Sequence, residues 1–492
     1  MFGGLTKTSS RIAIAAAFGM FGAYAMSTPA NAADFGGDCC ADLEERVAEL
    51  EATTVRKGNK KVSVTLSGWV VKSMNWWSDG DAGNFYVGDK DADLASRFAI
   101  TGSATIAPGW SAGYNLTVAA PSTIFGIGSN QYEESSGVNN IYTLYSYMFV
   151  KSDTWGALNW GYLSPASDNP AVLADISGTV IESNSVAFEG PGFVVRPSGN
   201  NGLAAGGLTW GSFLTCNGLG AGIGTDCWGG PQSAVRYDSP TWAGFRMETS
   251  YGTNDGLVGT PGFLTGAESN FWDIALFYNE DWGNFRVSAA YAYTWVETAA
   301  IATFNPSVIA AGGGGNEDNL HQVGATFMHT PSGLGIYGMY QYEDANVNYV
   351  DLAGNATGIA STDAWFLKPF IKRNWNDAGA TTFFGEYGQY NDQFGGVAGN
   401  NVCGAFNAGT SVANYCGGGA RAVQVSGSEV ETYGLGVVQE IDAAAMHLWG
   451  RWRHMDVDAG FQGYDAGTNS WQSVNQGYEG WDLFQAGGII FF

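Results

Sequence analysis

From about residue 60 the chain falls into short amphipathic segments joined alternately by tight and by long connections, and this rhythm runs to the last residue. Sixteen segments can be marked: 62–76, 93–106, 109–120, 140–151, 156–163, 232–239, 242–252, 270–279, 283–296, 318–329, 333–343, 362–374, 379–391, 429–440, 444–456 and 479–492. Seven connections are short and eight are long, so both ends of the series fall on the short-connection side. The short ones carry turn formers, such as Pro108-Gly109, Ser239-Pro240 and Pro331-Ser332-Gly333. The long ones lie near 78–91, 121–138, 164–230, 253–268, 298–316, 345–360, 392–427 and 457–477, and are rich in Gly, Asn, Asp and Ser. This is the layout of an all-β transmembrane antiparallel barrel of about 16 strands, with tight turns on one rim and long loops on the other. A barrel of that size encloses a water-filled lumen, and the expected consequence is passage of solutes.

Period-2 alternation assigns the two faces. Phe285, Val287, Ala289, Tyr291, Tyr293 and Trp295 share one side of their segment; Arg286, Ser288, Ala290, Ala292 and Thr294 share the other. Met446, Leu448 and Trp452 oppose His447, Arg451 and Arg453. Val235, Tyr237, Phe245, Met247 and Tyr251 oppose Arg236, Glu248 and Ser250. A soluble sandwich shares the period, but uses fewer strands in hairpin order. Trp76, Trp77, Trp110, Trp155, Trp242, Trp282 and Trp375, near segment ends, fit interfacial girdles. The last segment places Phe484, Ala486, Gly488, Ile490 and Phe492 on one face. Such an aromatic terminus is what outer-membrane barrels offer to their assembly machinery, so Phe492 is the candidate assembly signal.

Composition agrees. Charged residues are only 14%, aromatics reach 14%, and there are 72 Gly. These suit a polar lumen, an aromatic outer face and close strand contacts. Beyond the leader no apolar run approaches the ~18 residues of a transmembrane helix. The net charge of −25 argues against nucleic-acid binding, which requires a basic surface. It also argues against docking on an anionic inner leaflet.

Residues 1–32 read as a secretory signal: Lys7 and Arg11, then an apolar stretch over 12–25, then the cleavage box Ala30-Asn31-Ala32. Residues 33–60 form a separate periplasmic segment, and 61–492 the barrel. Leu43, Val47, Leu50 and Thr54 follow the 4-3-4 spacing of a short coiled coil, an expected oligomerisation helix. Export permits disulfides. Cys216 with Cys227, and Cys403 with Cys416, are expected to close local loops, while Cys39 and Cys40 have no assigned partner. Four His and no C-x-x-C leave no metal site and no cofactor to expect.

Two blocks, CADLEERVAELEATTVRKGNKKVSVTLSGWV (40–70) and AVRYDSPTWAGFRM (234–247), resemble the trimeric general porins of alphaproteobacteria. The resemblance implies a homotrimer of sixteen-stranded barrels in the outer membrane of a Gram-negative bacterium. The surroundings implied are membrane lipid and lipopolysaccharide. It also implies a third loop folded inward to narrow the pore. The longest connection, 164–230, follows the fifth segment, where that loop belongs. Its Asp168, Asp175, Glu182 and Glu189 are then the acidic side of a constriction. Inward positions Arg97, Arg236, Arg246, Arg286, Lys368, Lys372, Arg451 and Arg453 form the basic wall. Opposed charge across the narrowest point orients dipolar solutes.

The expected function is therefore a pore for passive diffusion of small hydrophilic solutes and ions, with a mild cation preference from the acidic total. No catalytic residue is assigned: G-x-S-x-G and H-E-x-x-H are absent, and His447 and His454 point to opposite faces of one strand. Asp89-Lys90-Asp91-Ala92-Asp93 lacks the Gly and distal Glu of a calcium loop and reads as a solvated edge. Two alternatives stay open: a sugar-specific channel, with strands at 193–195 and 208–213 bringing the count to eighteen, and a structural barrel with a plugged lumen.

Overall fold

The structure is a computed structural model. It describes residues 61–492 apart from 92–93, 123–124, 127–128, 132–140, 185, 199–207, 217–226, 228–229, 254–269, 299–315, 347, 351–355, 359–360, 395–421, 466–467 and 469. The leader, the 33–60 segment and Cys39, Cys40, Cys403 and Cys416 lie outside the described residues.

Sixteen strands close one antiparallel barrel. They are β1 Ser63–Ser78, β2 Arg97–Ala107, β3 Trp110–Ala119, β4 Tyr142–Ser152, β5 Gly156–Leu163, β6 Gln232–Asp238, β7 Phe245–Thr253 and β8 Asn270–Trp282. Then follow β9 Phe285–Thr298, β10 Asn316–His329, β11 Leu334–Asn346, β12 Thr362–Asn376, β13 Gly379–Asn391, β14 Ala422–Ile441, β15 Met446–Asp465 and β16 Trp481–Phe491. Each pairs with its sequence neighbour. β16 pairs with β1, where Gly68 and Phe492 exchange backbone hydrogen bonds of 2.9 and 3.0 Å. Closure leaves no open edge, which a chain in lipid requires.

The alternation explains which face is which. On β9 and β15 the odd and even positions named above divide into outward and buried sets. Leu435, Leu448, Phe484 and Ile490 stand outward, as does the terminal Phe492. Trp110, Trp155, Trp242, Trp282 and Trp375 lie exposed beside the short turns. Trp77 departs from the girdle reading: it is buried inside the barrel, its ring 5.0 Å from Phe193. Trp76 and Trp77 are adjacent, so a strand must send them to opposite faces.

Strand ends differ most from the sequence reading at β14 and β15, and two further strands, Gly83–Gly88 paired with β1 and Ser470–Gln476 paired with β15, lie in stretches read as loops. β14 and β15 each run 20 residues and pair well beyond the lipid-facing rows. Above the bilayer both faces are wet, so the apolar/polar alternation that marks a strand disappears there. The eighteen-strand option is not what the chain does. Val194 and Thr209 share a single bridge, Trp210–Phe213 is a helical turn, and Phe193, Trp210 and Phe213 are buried inside the lumen.

Candidate functional site: the inward loop and the lumen wall

The connection after β5 turns inward at once. Ser250 on β7 donates to Asp273 on β8; the Ser250 hydroxyl accepts from the Ala166 N–H at 2.8 Å. Ser167 gives both its N–H and its hydroxyl to Asp273, at 2.8 and 2.7 Å. A helical turn, α1 Pro170–Leu173, then lies against the wall. Gly324 of β10 makes this possible, because a Cβ there would collide with the Ala171 carbonyl. Tyr337 Oη donates to the same carbonyl at 2.9 Å.

From α1 the loop travels around the inside of the barrel. Asp175 pairs with Lys368 of β12 at 2.5 Å. The same ammonium reaches Thr179 Oγ1 at 2.8 Å, Ser183 Oγ at 2.9 Å and Asn184 Oδ1 at 2.6 Å. A second turn, α2 Val180–Ser183, brings Glu182 to within 3.4 Å of His447 Nδ1 on β15. Glu189 sits between three cations: Lys90 at 2.6 Å, Arg453 at 2.7 Å, and Arg451. Arg453 also holds Glu386 of β13 at 2.6 Å, and Arg451 Nε donates to Gln485 of β16 at 3.2 Å. These groups are almost wholly buried.

Beyond Glu189 the fastening changes character. Gly190 takes the left-handed φ of +78° and packs under the Trp481 ring, a place no side chain fits. Phe193 then meets Trp77, Trp481 and Phe125 at centroid distances of 5.0, 5.3 and 5.4 Å. Trp210, in α3 Trp210–Phe213, approaches Trp481 at 6.5 Å. Cys216 and Cys227 form a disulfide with Cα atoms 5.5 Å apart, buried against Phe271, Val296 and Leu320.

A family model for Gram-negative porins matches residues 13–479. The chain belongs to the Gram-negative porin family. It is an outer-membrane channel for passive diffusion, as the resemblance of its two sequence blocks implied. Similar solved folds include an anion-selective porin from Comamonas acidovorans, 15% identical, covering 88% of this chain and 100% of its own, at a TM-score of 0.49. Outer-membrane-expressed OmpT of Vibrio cholerae is 12% identical over 89% of this chain and 99% of its own, at 0.46. A Salmonella typhi OmpF in complex with daunomycin is 12% identical over 89% and 100%, at 0.45. No curated protein matches the chain in sequence.

Within this porin the acids and bases read from the sequence divide into two groups. Asp175, Glu182 and Glu189 meet Lys368, His447, Arg451 and Arg453, in contact rather than across a water gap. Arg236 grips Asp238 at 2.8 and 3.1 Å and donates to the carbonyl of Ser164, the loop's first residue, at 2.8 Å. Lys372 pairs with Glu440 at 2.5 Å beside Gly178. Asp168 accepts from Ser164 and from Asn169 Nδ2 at 2.6 Å. The remaining bases meet partners outside the loop. Arg97 stacks on Trp69 at 4.5 Å, Arg246 pairs with Glu248 over Phe277, and Arg286 binds Asp281 at 2.7 Å next to the β8–β9 turn.

Lys90 corrects the reading of its acidic stretch. Asp89, Lys90 and Asp91 are fully buried, not a solvated edge. Lys90 spans Asp91 at 2.5 Å and Glu189 at 2.6 Å. Burial is the largest influence on it and, helped by Arg451 and Arg453, pulls its pKa down to about 8 against the raising effect of Asp91. His447 and Glu386 were also missed. His447 had one available signal, its place on the inward face beside Arg451 and Arg453.

Proposed function

We propose that this porin passes small hydrophilic solutes and ions through a lumen whose narrowest section is made by residues 164–216. Asp175, Glu182 and Glu189 act as the loop's attachment points, with Lys368, Arg451 and Arg453 as the wall's. The observation that carries this is the chain of contacts from Ser167 on Asp273 to Glu189 on Arg451 and Arg453, which keeps the loop on the inner wall. Charges paired this closely cancel much of each other's field. Selectivity then rests on the charges left over, and the acidic total of the chain favours cations.

The general-diffusion reading is preferred to a sugar-specific one for a structural reason. Trp77, Phe193, Trp210 and Trp481 are packed on one another and at most 4% exposed, so none of these four rings offers its face to a sugar. We further propose a homotrimer, export with cleavage after Ala32, membrane insertion directed by Phe492, and lipopolysaccharide as the lipid around the long-loop rim. The exposed apolar outer face is what both lipid and a second copy would cover.

Planar-bilayer recordings in a salt gradient test the reading. Steady, large, weakly cation-selective steps that no sugar blocks at low concentration are expected. Absence of conductance from a folded, heat-modifiable species would overturn it.

A further inference from the structure

Of the four histidines, one faces the lumen. His321 stands outward on β10, its Nδ1 2.9 Å from Tyr291 Oη. His454 stands outward on β15, between Asp482 at 2.9 Å and Asp456 at 3.1 Å. His329 meets Ser332 at the β10–β11 turn. His447 alternates to the inner face of β15 and is 7% exposed. Its Nδ1 lies 3.4 Å from Glu182 Oε1 on the constriction loop. His447 is the second residue of its strand, so the pair sits at the short-turn edge of that loop.

Glu182 differs from the loop's other anchoring acids. Asp175 and Glu189 meet lysine and arginine. Among the described residues the one ion-pair partner of Glu182 is the imidazole. Its second carboxylate oxygen is buried with no hydrogen-bond partner. Histidine is the side chain that ordinarily gains or loses its charge between about pH 5 and 8.

The charged groups around the ring are few. Glu440 of β14 is directly opposite His447 and is held by Lys372 of β12 at 2.5 Å. Arg451, four residues along the same face, is spent on Glu189. β16 brings no charge: Ile489 is opposite, and the Phe491 ring is 5.3 Å away. Both cations and Glu440 are thus already paired, and Glu182 is the carboxylate left to take an imidazolium.

We infer that His447 is a selectivity-determining residue, which by taking or releasing a proton sets the net charge that Glu182 leaves at the constriction. Protonated, the imidazolium cancels the Glu182 charge and fastens α2 to β15. Neutral, it leaves one carboxylate uncancelled there. With residues 164–216 forming the narrowest section, the reading on which this rests, the pore is more cation-selective at neutral pH than in acid.

Reversal potentials in a KCl gradient, taken from about pH 7 to about pH 5.5, test this where histidine titrates and Lys90 stays largely charged. The K⁺-to-Cl⁻ permeability ratio of wild type should fall by about a factor of two across that range. His447→Gln should hold the neutral-pH ratio throughout. Glu182→Gln should keep the response but move its midpoint to lower pH, because the carboxylate that holds the imidazolium is gone. A merely structural role for the pair would not move that midpoint. His454→Gln, on the outer face, should respond as wild type does. Heat-modifiable mobility reports that each variant is folded. A flat profile from a conducting wild type, a response kept by folded His447→Gln, or an unmoved midpoint in folded Glu182→Gln would overturn the inference and leave the diffusion reading standing. Absence of conductance would overturn both.

Discussion

Residues 164–190 and 191–216 belong to one inward loop, yet they are held to the wall by different physics. The first half is fastened by buried charge: Asp175 on Lys368, and Glu189 on Lys90, Arg451 and Arg453. The second half is fastened by stacked rings around Phe193 and Trp481 and by the Cys216–Cys227 bridge. Buried ion pairs add little net stability, because desolvation offsets the attraction, but they fix geometry and are costly to break from one side. Aromatic packing and a covalent link stabilise outright. Selectivity and loop anchoring should therefore be separable by mutation.

The largest separation is expected from Glu189→Gln. It leaves three buried cations short of their shared carboxylate, at a local cost of roughly 3–5 kcal/mol. The reversal potential in a KCl gradient should move toward anions, with the barrel still heat-modifiable. No movement would mean that Glu189 lies away from the ion path. Phe193→Ala should do the opposite. Losing the central ring costs about 3–5 kcal/mol of packing. Single-channel steps are expected to become larger and noisier, with selectivity little changed.

A smaller effect is expected from breaking the disulfide with Cys216→Ser and Cys227→Ser. A loop of this length is worth about 3 kcal/mol in the chain-entropy model, but the ring cluster still holds the loop. The heat-modification temperature should fall, with conductance close to wild type. Smaller again is the effect of pH. Lys90 is charged below about 8 and neutral above it. Raising the pH through that value removes a positive charge beside Glu189, so cation preference should rise, and Lys90→Gln should show the high-pH behaviour throughout. Least of all should come from Arg286→Ala, whose partner Asp281 is next to a turn. Its reversal potential should match wild type.

The barrel was legible because its evidence is local and repeated: period-2 faces, turn residues at the short connections, and an aromatic end. The inward fold of 164–230 was expected only from the family resemblance, and which acid meets which base was not legible. Nothing near Asp175 or Glu189 announces Lys368 or Arg453, which come from strands far along the chain. Lys90 was misread for the same reason. A lysine among aspartates looks solvated until a loop from elsewhere covers it. Trp77 was misread although the information was present, since two adjacent tryptophans on a strand cannot share a face. Sequence showed which residues carry charge; only the fold showed which of those charges are already spent on one another.

The central claim is that residues 164–216 lie inside the barrel and set its narrowest section. It is tested most directly by replacing 170–213 with a short Gly-Ser linker and recording single-channel conductance against wild type. Removal of the constriction should raise conductance about twofold or more in a barrel that still shows heat-modifiable mobility. An unchanged conductance from such a folded variant would contradict it.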